Sequence, residues 1–357
     1  MLESLTIDDF RGIGHLDLTD LRRVNIFVGK NASGKTSLLE AASIVANPVS
    51  PGWLGQLGMW RELPPPSLQA PDALSIAFPN MDITKHPRFR FKIDGRAHSL
   101  DIKALTEDSL SEGQAQEIAK QNASSQSPST PDYERLFGVE YSYTSPDGRK
   151  ISNRAELIGQ GQIQRSEPSI KKLGAFYIHT RRSTSPSETA TALTRLFERK
   201  LQDEFVAALR QIDPRVRGMQ PGLRGQSPVI LVDVGLPRLI PMNALGDGFC
   251  RLCLMLTGTV FGASKLVVMD EIDSGLHHSV MAGVWRSLLR LRGTFEFQVF
   301  CSTHNEEMLY SVLPAFENHP EDVRVFRLDR SDSDNVEARE YDYKSLCDAD
   351  KAGFDIR

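Results

Sequence analysis

The chain has 357 residues, 40% of them apolar, and a formal net charge of −4. That length can bury one large core or two smaller ones, and the mildly acidic balance excludes a global nucleic-acid footprint, so any such contact must be local. No signal-type segment follows Met1, the longest apolar run (Leu252 to Ala263) is too short to span a bilayer, and four cysteines suit a reducing compartment, so a cytoplasmic protein without membrane contact is expected.

In chain order, the first strong signal is Val24 to Val28, an apolar strand-like run. It is followed by Gly29-Lys30-Asn31-Ala32-Ser33-Gly34-Lys35-Thr36, a complete GxxxxGK[ST] P-loop, and then by an apolar-periodic helix from Thr36 to Ala46 with Leu38, Leu39, Ala42 and Ile44 available for packing. Strand, loop and helix in that order make the motif a nucleotide site. Gly29 and Gly34 let backbone N–H groups turn inward on the α- and β-phosphates at the positive end of the helix. The expected cradle is Asn31, Ala32, Ser33, Gly34, Lys35, Thr36 and Ser37. Lys35 supplies charge to the β- and γ-phosphates, and the Thr36 hydroxyl is the expected magnesium ligand.

Trp53 to about Pro66 is rich in Gly, Trp and Pro and carries no clear assignment. Arg88 to Ile93 alternates basic and apolar residues and pairs with Ala97 to Leu105 through Asp94-Gly95, which predicts a hairpin with a basic outer face, solvated or touching phosphate. Gln114 to Pro131 has few large apolar residues and reads as a mobile loop. A second strand pair, Val139 to Thr144 and Lys150 to Leu157, surrounds Pro146-Asp147-Gly148. A strand ending at Tyr177 to Arg182 precedes one long helix, Ser187 to about Ile212, with Leu193, Leu196, Phe197, Leu201, Phe205, Ala208 and Leu209 on a single face.

Cys250-Arg251-Leu252-Cys253 has no second ligand pair near it and falls in an apolar helix, where core packing is the better reading than metal. Lys265 to Glu271 is the pattern of a strand buried on both faces and ending in two carboxylates. Ligands of parallel sheets bind at strand carboxyl ends, and neighbouring side chains point to opposite faces, so Asp270 and Glu271 take different tasks. Asp270 is assigned to the magnesium shell and Glu271 to the water that attacks the γ-phosphate. Phe297 to His304 is a third such strand, and His304 at its end is the candidate γ-phosphate sensor. A last strand, Val323 to Leu328, and a tail from Tyr341 to Arg357 complete the chain, with Asp348 and Asp350 read as solvated.

Phe10-Arg11-Gly12, the P-loop, Leu245-Gly246-Asp247-Gly248, Met269-Asp270-Glu271-Ile272-Asp273-Ser274-Gly275-Leu276-His277-His278 and Ser302-Thr303-His304-Asn305-Glu306, in that order, resemble the ABC-type ATPases of the overcoming-lysogenization-defect (OLD) and RecF/SMC group, most closely the stand-alone OLD-like ATPases. The likeness implies an α/β, ABC-type P-loop ATPase core, a mixed and parallel sheet flanked by helices, with an inserted strand-rich arm and a helical lobe. It implies one domain over residues 1–357, divided as a P-loop lobe (1–50), a strand-rich insertion (51–175, mobile near 106–131), a helical lobe (176–225) and a lobe carrying signature, Walker B and switch histidine (226–357). ATP and Mg2+ are the implied cofactors.

By the same resemblance two protomers sandwich two nucleotides, with Gly246, Asp247 and Gly248 of one facing the Lys35 site of the other. Arg11 reaches the nucleotide phosphates or makes a surface salt bridge, and Gln160, Gln162 or Gln164 serves as magnesium ligand. An ABC signature normally opens with serine; Ala244-Leu245 offers no hydroxyl, which leaves backbone N–H groups or Asn243 for the contact in trans. Little chain follows His304, so the Toprim nuclease of larger OLD proteins is not expected. The implied function is an ATP-hydrolysing switch subunit that forms homodimers or higher homo-oligomers and controls a separately encoded nuclease- or toxin-like effector, in anti-phage defence. The alternative is a RecF-like DNA-binding ATPase of DNA repair.

Overall fold

The computed structural model describes residues 1–67, 72–110, 136–158, 162–165, 170, 172–179, 186–210, 213–260, 265–292, 296–331 and 335–356. The anticipated mobile loop lies almost wholly outside these residues, as do Gln160, Arg181 and Arg182. The strands in chain order are β1 (Leu2–Phe10), β2 (Ile13–Leu18), β3 (Val24–Val28), β4 (Arg88–Ile93), β5 (Arg96–Leu105), β6 (Gly138–Thr144), β7 (Lys150–Ile158) and β8 (Gln162–Arg165). They continue as β9 (Ala175–Ile178), β10 (Gly218–Arg224), β11 (Ser227–Asp233), β12 (Ile240–Pro241), β13 (Leu266–Met269), β14 (Gln298–Ser302), β15 (Val323–Arg330) and β16 (Val336–Tyr341).

Two large sheets form the frame. One runs β16-β15-β3-β14-β13-β9, with β16 antiparallel at its edge and the other five strands parallel. The other, β2-β1-β4-β5-β6-β7-β8, is antiparallel throughout, so strands from either side of the P-loop helix share one sheet. A small third sheet joins β10, β11 and β12.

The central strands are apolar on both faces because both faces are covered. Ile26, Val28, Val267, Met269, Val299 and Cys301 pack on one side with the helices Asp247–Val260 and His278–Arg292. Phe27, Val268, Phe300 and Phe326 pack on the other with Leu38, Leu39 and Ala42 of the Lys35–Val45 helix and with the antiparallel sheet. Alternation along each strand thus sorts residues between two cores. Gln298 ties the sheets together: its amide nitrogen donates to the carbonyls of Leu2 (2.8 Å) and Arg22 (2.7 Å), and its oxygen accepts from Leu2 N (3.0 Å).

Three local features depart from the sequence expectations. The single helix from Ser187 is two, Pro186–Glu198 and Gln202–Leu209, broken where Lys200 takes a left-handed backbone (φ 57°) and Leu201 N closes on Leu196 O at 3.0 Å. Splitting the segment lets Leu193 and Leu196 on one piece and Phe205, Ala208 and Leu209 on the other reach the same core. The Gly/Trp/Pro stretch contains a helix, Gly52–Trp60, whose Trp60 stacks on Tyr177 at 5.0 Å. The tail adds an edge strand, β16, and the helix Tyr343–Ala352.

The hairpin of β4 and β5 has its basic outer face, but each cation of β4 has an acid across from it on β1: Arg88 with Asp9 (3.8 Å), Arg90 with Asp8 (3.0 Å) and Lys92 with Glu3 (3.9 Å). Cys253 is buried in the core, in keeping with a packing residue. Among the described residues no helix is long and apolar enough to cross a membrane.

Candidate nucleotide site

Strand register assembles the site. β14 lies between β3 and β13, all three run parallel, and the pairings Met269 with Cys301 and Ser302 with Phe27 bring Asp270, Ser302 and the start of the P-loop to one level at the carboxyl edge. This is where an α/β sheet places its ligand.

The P-loop bends through left-handed positions at Gly29 (φ 139°), Ala32 (φ 61°) and Gly34 (φ 100°), the last capping the Lys35–Val45 helix. Gly29 has a packing reason as well, since a Cβ there would sit 2.4 Å from Leu328 O on β15. Asn31 and Ala32 are exposed, Ser33 and Lys35 buried, and Thr36 and Ser37 half-buried on the first helical turn. Lys35 Nζ donates to the carbonyls of Gly29 (2.7 Å) and Lys30 (2.8 Å). Burial lowers its pKa to about 8 against the opposing pull of Asp270 and Glu271.

Asp270 is 6% exposed and both its oxygens accept hydrogen bonds, Oδ2 from Thr36 Oγ1 (3.0 Å) and Oδ1 from Ser302 Oγ (2.6 Å). A hydroxyl and a carboxylate meeting at this distance form an all-oxygen donor set of the kind a hard divalent cation takes, with water completing its shell. Ser302 Oγ also accepts from Glu271 N (2.8 Å). Glu271 itself has a left-handed backbone (φ 48°), so the chain turns sharply directly after the strand and Asp270 and Glu271 are sent different ways. Arg251, on the helix Asp247–Val260, clamps this turn: its Nη2 donates to the carbonyls of Asp270 (2.8 Å) and Glu271 (2.7 Å). One step on, Thr303 Oγ1 donates to Asp273 Oδ1 (2.7 Å) and accepts from Asn305 N (3.0 Å). His304 lies exposed just past the end of β14; partial desolvation by its neighbours lowers its pKa first and Lys35 next, with Glu271, Asp273 and Asp270 pulling the other way.

The remaining sequence candidates fall around this centre. Gly246 (φ 91°) and Asp247 are exposed at the start of the helix Asp247–Val260, on the surface. Gly248 packs on the turn after Glu271, where an added Cβ would meet Gly275 O at 2.5 Å. Arg11 makes a buried ion pair and not a surface one. Its Nη1 lies 2.7 Å from Glu40 Oε2 with both side chains buried, and Arg61 grips the same carboxylate through Nε (2.9 Å) and Nη2 (3.1 Å). Desolvation lowers the Arg11 pKa to about 10, more than Glu40 restores. Gln162 and Gln164 belong to β8, but their side chains lie outside the described residues.

Ser302, Arg251 and the Glu40–Arg61 pair were not assigned from the sequence. Ser302 was visible in the Ser-Thr-His run, where its place just before the strand end marks it as a neighbour of Asp270. Arg251 was hidden in an apolar helix, and only the fold brings it to Glu271.

The frame is therefore an α/β P-loop ATPase fold, with mixed and antiparallel sheets flanked by helices. It is similar to a solved SMC head, that of the Smc head bound to the C-winged helix domain of ScpA, at 13% identity with a TM-score of 0.50, over 97% of this chain and 99% of that one. The chain belongs to the family described as "AAA domain, putative AbiEii toxin, Type IV TA system", which matches residues 24–309. It is 21% identical over 332 residues to an ATP/GTP phosphatase of Helicobacter pylori, across 87% of this chain and 86% of that protein. A short stretch of 45 residues is 51% identical to the DNA replication and repair protein RecF of Lactobacillus acidophilus, 13% of this chain and 12% of that protein.

Proposed function

We propose that this AAA/ABC-type ATPase domain hydrolyses ATP as a switch, with ATP-bound protomers pairing and a separate effector held or released by the change. The observation that carries the reading is the continuous chain Thr36–Asp270–Ser302–Glu271, which joins the P-loop to the candidate base through hydrogen bonds of 3.0, 2.6 and 2.8 Å. In this reading Lys35 and the P-loop N–H groups hold the phosphates. Thr36 and Asp270 hold Mg2+, which when bound supplies electrostatic relief of phosphate charge. Glu271 orients and polarises the attacking water, and His304 contacts the γ-phosphate and lets go when it leaves.

The name of the Helicobacter pylori relative supports phosphohydrolysis, and the toxin–antitoxin wording of the family supports a role in bacterial defence with a separately encoded effector. Gly246 and Asp247, exposed at a helix start, are suited to meet a phosphate of the partner protomer's nucleotide. The duplex-clamping alternative gains little from β4 of the basic hairpin, whose Arg88, Arg90 and Lys92 each lie within 4 Å of an acid on β1.

The test combines turnover with assembly. Glu271→Gln should keep ATP bound while slowing hydrolysis roughly 10²-fold or more, because charge alignment survives and water activation does not. Light scattering of that variant should show an ATP-dependent dimer that Gly246→Arg abolishes. Hydrolysis at the wild-type rate by Glu271→Gln would remove the base assignment, and a protein monomeric at every workable concentration would remove the sandwich.

A further inference from the structure

The sheet of β10, β11 and β12 has one face in the core and one outside it. Ile230 and Val232 of β11 are buried in the same core as Leu193 and Leu196 of the Pro186–Glu198 helix. By alternation Val229 and Leu231 take the other face, and both are only half-buried. Gly222 pairs with Val229, and a Cβ on it would stand 2.9 Å from Leu231 Cδ1 and 3.8 Å from Val229 Cγ2, so both side chains lean over a position that has none. Pro241 of β12 pairs with Leu231 and widens the same shallow apolar strip.

We propose that this outer face docks an extended segment of a separately encoded protein, apolar at its centre and acidic at both ends. The proposal rests on the effector-switch reading above and adds the surface and the chemistry of the partner that fits it.

Charge marks the ends of the strip. At one end stands Arg224, the last residue of β10; at the other stand Arg217, just before β10, and Arg238, between β11 and β12. The 7 residues of β10 separate these ends by about 20 Å. All three arginines are exposed, and none forms an ion pair among the described residues. A Cβ on Gly235 would stand 2.8 Å from Arg217 Cζ, which places that guanidinium one residue from Leu236. The local acids are engaged: Asp233 Oδ1 accepts from Gly235 N at 2.8 Å, and Asp213 pairs with Arg215 at 2.8 Å. Among the described residues, the large apolar side chains more than half exposed are Leu223 (71%), Phe354 (57%) and Leu236 (56%), and the two leucines sit beside these arginines in the chain. Unpaired cations at the margin of exposed apolar surface make an interface rim complementary to acid.

A nucleic acid fits this face poorly. Each strand carries a charge about every 3.4 Å, so a backbone laid along the strip would hold several phosphates over Gly222, Val229, Leu231 and Pro241, which offer no cation. An extended peptide instead sets apolar side chains there and carboxylates at the arginine ends. The position also suits control by the nucleotide. Pro241 leads through the turn Met242–Leu245 to Gly246, the candidate contact with the partner protomer's nucleotide, so a segment held here lies on the strand that feeds that contact.

Fluorescence anisotropy of the whole chain with three labelled probes tests the surface: a short peptide with paired glutamates at each end of a Val/Leu centre, its counterpart ending in lysines, and a short DNA duplex. The acidic peptide should bind at least ~10-fold tighter than the lysine peptide, and tighter than the duplex. Arg224→Glu combined with Arg238→Glu should reverse the order of the two peptides, and ATP turnover at the wild-type rate certifies that this variant is folded. Leu236→Ser leaves every charge in place and should weaken the acidic peptide roughly 3-fold or more. No binding of the acidic peptide, or equal affinity for the two peptides, would overturn the surface. So would a duplex bound more tightly than the acidic peptide and lost in the double variant. An acidic peptide bound equally with and without ATP by the Glu271→Gln protein would keep the surface and remove the switch reading instead.

Discussion

Ser302 Oγ donates to Asp270 Oδ1 at 2.6 Å while accepting from the backbone N–H of the next residue, Glu271, at 2.8 Å. One hydroxyl therefore fixes the carboxylate that faces Thr36 and the left-handed turn that redirects Glu271. The geometry depends on β14 lying between the P-loop strand and the acidic strand, because only a middle strand can reach both ends.

Ser302→Ala tests this coupling. Losing a hydrogen bond to a charged group costs ~1.5–3 kcal/mol, and if that loss falls on the arrangement of Asp270 and Glu271 during reaction, turnover drops roughly 10- to 100-fold. Nucleotide affinity, which rests mainly on the P-loop, should change little. Phosphate-release kinetics beside equilibrium binding of ATP separates the two, and a variant with weakened binding but normal kcat would contradict the argument.

Much of this centre was legible in the residues because its motifs sit at strand ends, where chemistry and periodicity coincide: Val24 to Val28, Leu266 to Met269 and Gln298 to Ser302 are strands whose next residues the fold gathers at one sheet edge. The convergence of Arg11 with Glu40 and Arg61 was not legible. They meet only because β1, the P-loop helix and the segment after Trp60 converge, and nothing in local spacing announces a long-range buried ion pair. The break at Lys200 was missed for a related reason, since an apolar stripe continues in register across a turn that breaks the helix, and periodicity alone does not register the reversal. Edge strand β16 was missed because its exposed residues, Glu337, Arg339 and Glu340, dilute the apolar signal.

Lys35 gives a pH dependence. Its pKa in the nucleotide-free protein is lowered to about 8 by burial, and phosphate charge must raise it on binding. Binding then takes up a proton above pH 8, so ATP affinity should be flat below that value and fall by up to about tenfold per unit above it. The sign for folding is opposite: the unfolded chain binds the extra proton between about 8 and 10.5, so this lysine's contribution to stability rises with pH across that window. Calorimetric titrations between pH 7 and 9.5 check the first statement. Lys35→Arg, charged throughout, should flatten the profile.

Arg251 predicts a separation of turnover from binding at a site remote from the P-loop. It links the helix that starts at Asp247 to the carbonyls of Asp270 and Glu271, so it is a positioning residue for the turn at φ 48°. Arg251→Lys keeps the charge but has a shorter side chain and no fixed, planar Nη2 to hold between the two carbonyls. The expected result is a roughly tenfold or greater fall in kcat with ATP affinity within about twofold of the wild type. Arg251→Met should match or exceed that loss, and full activity in both variants would show that the clamp is structural decoration of the turn.

Glu40 is the stability counterpart. It lies 2% exposed between Arg11, 6% exposed, and Arg61, 36% exposed, so neutralising it strands one guanidinium in the core and a second at its edge. Breaking a buried pair from one side costs ~3–5 kcal/mol, whereas the half-exposed Arg61 contact adds ~1 kcal/mol at most. Glu40→Gln should lower the unfolding free energy by about 3 kcal/mol or more, seen in urea as a lower midpoint with an unchanged slope. Adding Arg11→Met to Glu40→Gln removes the stranded charge and should restore part of the loss. If the double variant is no more stable than Glu40→Gln alone, the cost lies in packing around the carboxylate and not in the uncompensated cation.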